Sequence, residues 1–323
     1  MWGVLTQAAV AFACVQVGLW GWMGLKGLYK YCFMREKNLL ARYGEGSWVV
    51  ITGSSSGQGR RFALEFAKRG FNIVLTGSFR NSAVFQEIHM TYPGVMVRFE
   101  QMNFAEALAD HYDFWAPFQR VFAELDVSVL VNNVGHRVAW DPYHEMPFAK
   151  MKDTVVVGTI PQVRLTQLAL KHFLKRVKHS AIVWITAQTT HPCIFPGMSD
   201  GVLTVPYLAC YEAANAFGYH HANSIVEEYK SNKALDLINI TPGAVLTENT
   251  GFLNKVCFAT KADSFVRTVL RFMGNVQGET CAYWGHALSL VMLSVFPMVK
   301  PYVIPKVGKG IAKAYMQMKA KRY

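Results

Sequence analysis

Ser47-Trp-Val-Val-Ile-Thr-Gly-Ser-Ser-Ser-Gly-Gln-Gly59 decides the fold. A short β-branched run ends in a turn holding three glycines, and Arg60 to Arg69 follows with helical apolar spacing. In a strand–turn–helix context each glycine has its own task. Gly53 permits the tight turn, Gly57 lets backbone approach a pyrophosphate, and Gly59 allows the helix to pack close on the strand. The free amides of the helix start supply an anion site. Thr52, Ser55 and Gln58 complete this predicted dinucleotide cradle.

Outward from the cradle, strands and helices alternate. Phe71–Thr76, Val95–Phe99, Val127–Asn132, Ser180–Ile185 and Leu235–Ile240 read as further strands. Ala105–Leu125 and Tyr207–Tyr229 read as helices, as does Phe148–Lys178 with a break at Pro161. Such alternation predicts an α/β fold, a doubly wound parallel sheet covered on both faces. No linker divides the middle of the 323 residues, so we expect one domain over 44–285.

The ends differ from this core. Residues 1–25 carry no charge, and a bilayer core needs about 20 predominantly apolar residues, so 1–43 predicts a transmembrane helix and linker. A signal peptide wants a basic start and a shorter apolar stretch, and a transit peptide wants arginines; neither fits. Lys26, Lys30, Arg35 and Lys37 follow, which puts the bulk of the chain on the positive side, the cytosol at the ER membrane or the matrix at the mitochondrial inner membrane. Residues 286–323 are apolar, broken by Pro297, Pro301 and Pro305, then basic. They read as a membrane-associated tail or as a solvated or partner-bound helix. Net charge is +12, which suits anionic lipid; no basic–aromatic interleaving points to nucleic acid. Six scattered cysteines without CxxC spacing argue against a metal site and fit a reducing compartment.

Asn132-Asn-Val-Gly135 follows the fourth strand and Pro242-Gly-Ala-Val-Leu-Thr247 the sixth. With Thr52-Gly-x-x-x-Gly-x-Gly59 they resemble the short-chain dehydrogenase/reductase family over roughly residues 44–250. Tyr43-Gly-Glu-Gly-Ser-Trp-Val-Val-Ile-Thr-Gly53 and Ala67-Lys-Arg-Gly-Phe-Asn-Ile-Val-Leu75 are similar to its membrane-bound very-long-chain 3-oxoacyl-CoA reductases and 17β-hydroxysteroid dehydrogenases. The resemblance implies cofactor contacts from Asn132, Val134, Gly135, Pro242, Gly243, Val245 and Thr247, and from Asn103 where the family has Asp near the adenine. No carboxylate follows the second strand to hold a ribose diol. Arg80, or Arg60 or Arg61, could meet a 2′-phosphate, so the expected cofactor is NADP(H).

The same resemblance implies a catalytic Tyr, a Lys four residues on that lowers its pKa, a Ser that polarises the carbonyl, and an Asn that holds a relay water. An unperturbed tyrosine titrates near ~10, so the cation matters. Pro206-Tyr-Leu-Ala-Cys-Tyr211-Glu-Ala-Ala-Asn215 matches the Tyr helix with Tyr211 in register and Asn215 in place of Lys. Taking Tyr207 instead puts Tyr211 there. Ala187 stands at the Ser position, with Thr189 or Ser199 as possible substitutes, and Gly158 at the Asn position. Tyr229/Lys233 and Tyr302/Lys306 have the spacing but fall outside the fold order. The sequence therefore predicts a catalytically degenerate, NADP(H)-binding accessory or structural subunit of a membrane complex. The alternative is an active NADPH-dependent 3-oxoacyl-CoA or hydroxysteroid reductase.

Overall fold

The computed structural model describes residues 2–77, 81–108, 114–135, 140–190, 205–248, 250–295 and 300–320. Contacts divide the chain into two units, Met1–Glu36 and Lys37–Tyr323. The first unit is α1 (Trp2–Leu28), followed by a π turn at Tyr29–Phe33. Its 27 residues reach ~40 Å. Even so, among the described residues no helix is long and apolar enough to cross a membrane. The expectation of a transmembrane helix equated absence of charge with apolarity, but Gln7, Gln16 and four glycines (Gly3, Gly18, Gly21, Gly24) interrupt the run.

The second unit begins seven residues before the expected boundary. Helix α2 (Leu39–Tyr43) starts on Asn38, whose Oδ1 accepts the Ala41 amide at 3.0 Å, and Leu39 and Tyr43 are buried. Arg42 forms a two-pronged pair with Asp236 (2.6 and 2.9 Å), and the Tyr43 hydroxyl donates to the same carboxylate at 2.7 Å. The stretch assigned to a linker is thus bolted to the sixth strand.

The remaining elements are, in order, β1 (Trp48–Ile51), α3 (Gly57–Lys68), β2 (Asn72–Gly77), α4 (Asn81–Thr91), β3 (Val97–Gln101), α5 (Ala116–Glu124), β4 (Val127–Asn132), α6 (Phe148–Phe173), β5 (Ser180–Ile185), α7 (Ala209–Tyr229), β6 (Leu235–Ile240), β7 (Val245–Leu246), β8 (Thr260–Lys261), α8 (Ala262–Phe272), β9 (Gly278–Thr280), α9 (Trp284–Val295) and α10 (Lys300–Ala320). Seven strands form one sheet in the order β3-β2-β1-β4-β5-β6-β9, every pair parallel. This is the doubly wound arrangement expected. Strands β2, β4 and β6 are buried along their whole length, as sheets covered on both faces must be.

Three expectations need correction. Ala105–Leu125 is not one helix: a 3₁₀ turn covers Phe104–Glu106 and α5 starts only at Ala116, with Pro117 in its first turn. Pro161 does not break α6, which runs 26 residues through it. The ring is buried and the helix forgoes one bond, to the Val157 carbonyl. Pro301 and Pro305 do not break the tail either. Helix α10 begins at Lys300 and continues past Pro305, with Ala312 buried and Tyr315 edge-on to Phe252 (5.7 Å). A Cβ on Gly308 would lie 2.8 Å from Pro206, so the helix seats directly on the turn before α7.

Candidate dinucleotide and active site

The cradle is built from backbone. Thr52 Oγ1 donates to the Val131 carbonyl (3.1 Å) and accepts the amides of Asn133 (2.8 Å) and Val134 (2.9 Å), tying the β1 turn to the β4 turn. Gly53 has φ +66 and sits against Val134 Cα; Gly57 has φ +56 and faces Thr247. A Cβ on Gly59 would fall 2.2 Å from the Gly53 carbonyl oxygen. Glycine is required at all three, for handedness at the first two and for space at the third. The α3 amides open onto this hollow. Gln58 Oε1 and Asn132 Oδ1 are buried without a partner among the described residues, as groups awaiting a ligand would be. The cradle therefore fits a dinucleotide.

The predicted phosphate and adenine contacts fare differently. Arg60 is clamped by both oxygens of Glu87 (2.7 and 2.6 Å) and Arg61 pairs with Asp263 at 2.8 Å. Neither arginine is waiting for a 2′-phosphate. Arg80 lies outside the described residues, as does Ser199. Asn103 lines the cavity, but its amide donates to Glu106 (2.6 Å) and its carbonyl receives Ala105 N, so it serves a local turn.

Opposite the cradle, in the same cavity of about 1490 Å³, stand Tyr211, Asn215, Ala187 and Gly158. The sequence register thus brings the four positions together. Burial raises the Tyr211 pKa, the Asn215 amide opposes that rise, and the Glu212 carboxylate adds to it. That amide also donates to the Tyr211 backbone carbonyl at 2.9 Å. Lys150 lines the cavity, but faces Asp141 at 3.4 Å and is not among the groups acting on the phenol. A Cβ on Gly158 would lie 2.8 Å from Ala214 Cβ, so α6 and α7 have closed over the space an Asn needs. Beside Ala187, Thr186 donates to Asn239 (2.9 Å), whereas Thr189 Oγ1 is buried without a partner among the described residues. Tyr207 adopts φ +73 in the turn before α7, and Tyr302 is exposed on α10.

Two cavity residues escaped the sequence reading. Gln188 donates to the His286 carbonyl (3.0 Å) and to Ser289 (2.7 Å). Burial pushes His286 down to about 4, so it is neutral at physiological pH and supplies no cation. Both press on Gly243, where a Cβ would meet Gln188 Oε1 at 2.3 Å and His286 Cδ2 at 2.8 Å. Gly243 was the available signal, but nothing in sequence says that α9 packs there.

A seven-stranded doubly wound sheet, a glycine cradle at its first strand and a tyrosine helix facing it define a dinucleotide-binding α/β protein. The profile of the short chain dehydrogenase family matches residues 47–256, and the chain belongs to that family. It is 28% identical over 279 residues to a very-long-chain 3-oxoacyl-CoA reductase of Coccidioides immitis, covering 82% of this chain and 74% of the relative. It is 30% identical over 257 residues to the 17-beta-hydroxysteroid dehydrogenase type 3 of Homo sapiens (78% and 76%). Among solved structures, a 7beta-hydroxysteroid dehydrogenase superposes with TM-score 0.66 at 19% identity, covering 80% of this chain and 94% of that one. A short-chain dehydrogenase from Sphingobium yanoikuyae in complex with NADPH gives 0.62 at 20% (80% and 96%). At such identity these two show the fold alone.

Proposed function

We propose that this chain is a catalytically silent short-chain dehydrogenase that binds NADP(H) and serves as an accessory or structural subunit of a membrane assembly. One observation carries the reading: burial raises the Tyr211 pKa, and among the described residues no cation acts on the phenol. A phenol that keeps its proton cannot act as the base in alcohol oxidation. With Ala187 and Asn215 it also lacks the hydroxyl and ammonium that would activate a ketone for reduction. The closed Gly158–Ala214 contact supports the reading, because the missing Asn has been replaced by packing.

A nicotinamide dinucleotide is supported by the unpartnered Gln58 and Asn132 oxygens at the cradle, and its NADP(H) form by the absence of a carboxylate in the sequence just after β2. Association with a bilayer is supported by α1, which leaves Val10, Phe12, Val15, Val17, Leu19 and Trp20 exposed. In water such a surface would seek cover from lipid or from other subunits. The test uses full-length protein in detergent with NADPH and a 3-oxoacyl-CoA. Cofactor binding by fluorescence without consumption of NADPH is the expected result. Turnover that disappears in Tyr211→Phe overturns the silent assignment.

A second reading, an active NADPH-dependent reductase, has one observation in its favour. The unpartnered Thr189 hydroxyl lines the cavity near the Ser position, and the relatives named above are reductases or dehydrogenases. Turnover lost in Thr189→Val would select it.

A further inference from the structure

All sheet strands run parallel, so the loops that precede them share one edge, opposite the edge that carries the cavity. Those loops form a continuous surface. Lys178 Cδ lies 3.1 Å from the Cβ position of Gly44, Leu40 Cδ2 3.3 Å from that of Gly70, and Lys37 Cδ 3.2 Å from that of Gly274. Exposed Lys37, Lys68, Lys175, Lys178 and Lys233 stand on it. Its carboxylates are largely engaged: Asp236 with Arg42, Asp126 with Arg176 and Glu227 with Lys230, leaving Glu45 and Glu228.

The loop before β5 has a second property. Arg176 is 7% exposed in its side chain and holds the loop through Asp126 (2.6 and 3.0 Å), the Tyr43 carbonyl (2.9 Å) and the His179 carbonyl (2.6 Å). On this fixed loop Leu174 is 50% and Val177 100% exposed, with Lys175 and Lys178 beside them. An apolar tip flanked by lysines matches the boundary of an anionic bilayer, where side chains enter the acyl region and ammonium groups meet the headgroups. A nucleic acid would use the lysines but leave the valine in water.

We propose that this pre-strand edge docks on an anionic lipid surface through Val177, Leu174, Lys175 and Lys178, so that the cavity opens away from the bilayer. The inference rests on the reading of the chain as membrane-associated. It is tested on the full chain carrying an environment-sensitive fluorescent amino acid at position 177. The protein is reconstituted with phosphatidylcholine vesicles, with and without phosphatidylserine. The expected result is a blue shift with phosphatidylserine, removed by Lys175→Glu/Lys178→Glu and weakened about tenfold by raised salt. Protein that floats with vesicles while residue 177 keeps its aqueous emission overturns the docking surface alone. Protein that fails to float overturns the membrane reading itself. A shift equal in neutral vesicles, or produced by an RNA oligonucleotide instead, also overturns the proposal.

Discussion

The two halves of the cavity have had different fates. At the cradle the requirements are written in backbone: Gly59 against the Gly53 carbonyl, Gly53 against Val134 Cα, and Thr52 bridging two turns. Across from it the requirements are side-chain functional groups, and three of the four expected ones are absent at Ala187, Asn215 and Gly158. Side-chain chemistry can be lost without disturbing a fold. Backbone geometry cannot, because the same contacts hold α3 on β1. The cradle's survival is therefore demanded by folding whether or not a nucleotide binds.

The largest effect should follow from Gly59→Ala. Its Cβ would meet a backbone oxygen at 2.2 Å, so the turn must move; overpacking of this kind costs about 1–3 kcal/mol or more. Gly57→Ala should act more narrowly. It strains a residue at φ +56 but touches only the Thr247 side chain, a left-handed penalty of roughly 1–2 kcal/mol. Calorimetric titration with NADPH, alongside melting temperature, separates the roles. Lost binding in Gly57→Ala with a nearly native Tm marks a working cradle; a wild type that takes up no NADPH marks a scaffold.

Next comes rebuilding the other half. Asn215→Lys with Ala187→Ser should lower the Tyr211 pKa by about 1–3 units through the new ammonium, read as a shifted tyrosinate absorbance titration. It should also raise NADPH consumption above the wild-type baseline. Adding Gly158→Asn should not help by itself, since its Cβ meets Ala214 at 2.8 Å. That variant should melt lower until Ala214→Gly restores space. Full activity from Gly158→Asn without that relief would show that the helices are not closed there.

Much of the architecture was legible because it follows from period and punctuation. Apolar runs such as Val127–Asn132 and Leu235–Ile240, bounded by turn residues, announced buried parallel strands. The missing elements were those without such a signal. Gly278-Glu-Thr280 has no apolar pattern and pairs only because β6 offers an edge. Pro161 looked like a break because local propensity ignores the burial that outweighs it, and the half-buried Pro305 is likewise carried inside α10. In the site, the register of Tyr211 and Asn215 could be read directly. The ion pairs that engage Arg60 and Arg61, and the approach of His286 to Gly243, depend on tertiary neighbours 27 to 202 residues away that no local pattern encodes.

The smallest effect expected is a pH signature confined to the catalytic half. Glu212 follows Tyr211 in α7 and receives the Val205 amide on both oxygens (3.0 and 3.1 Å). Burial nonetheless lifts its pKa from 4.5 to about 7. The folded state thus holds a proton there that the unfolded chain releases, so its contribution to stability is full below about 4.5 and declines as pH rises through about 7. Melting temperature should fall across that window, and Glu212→Gln, which cannot ionise, should flatten the slope while leaving NADPH binding unchanged. A wild-type profile that stays level from about pH 5 to about pH 8 would show that the carboxylate is solvated. The turn it braces, Val205 to Leu208, is the one on which α10 seats through Gly308 and Pro206. A slope carried by Glu212 would therefore tie ionisation at the catalytic end to the seating of the last helix.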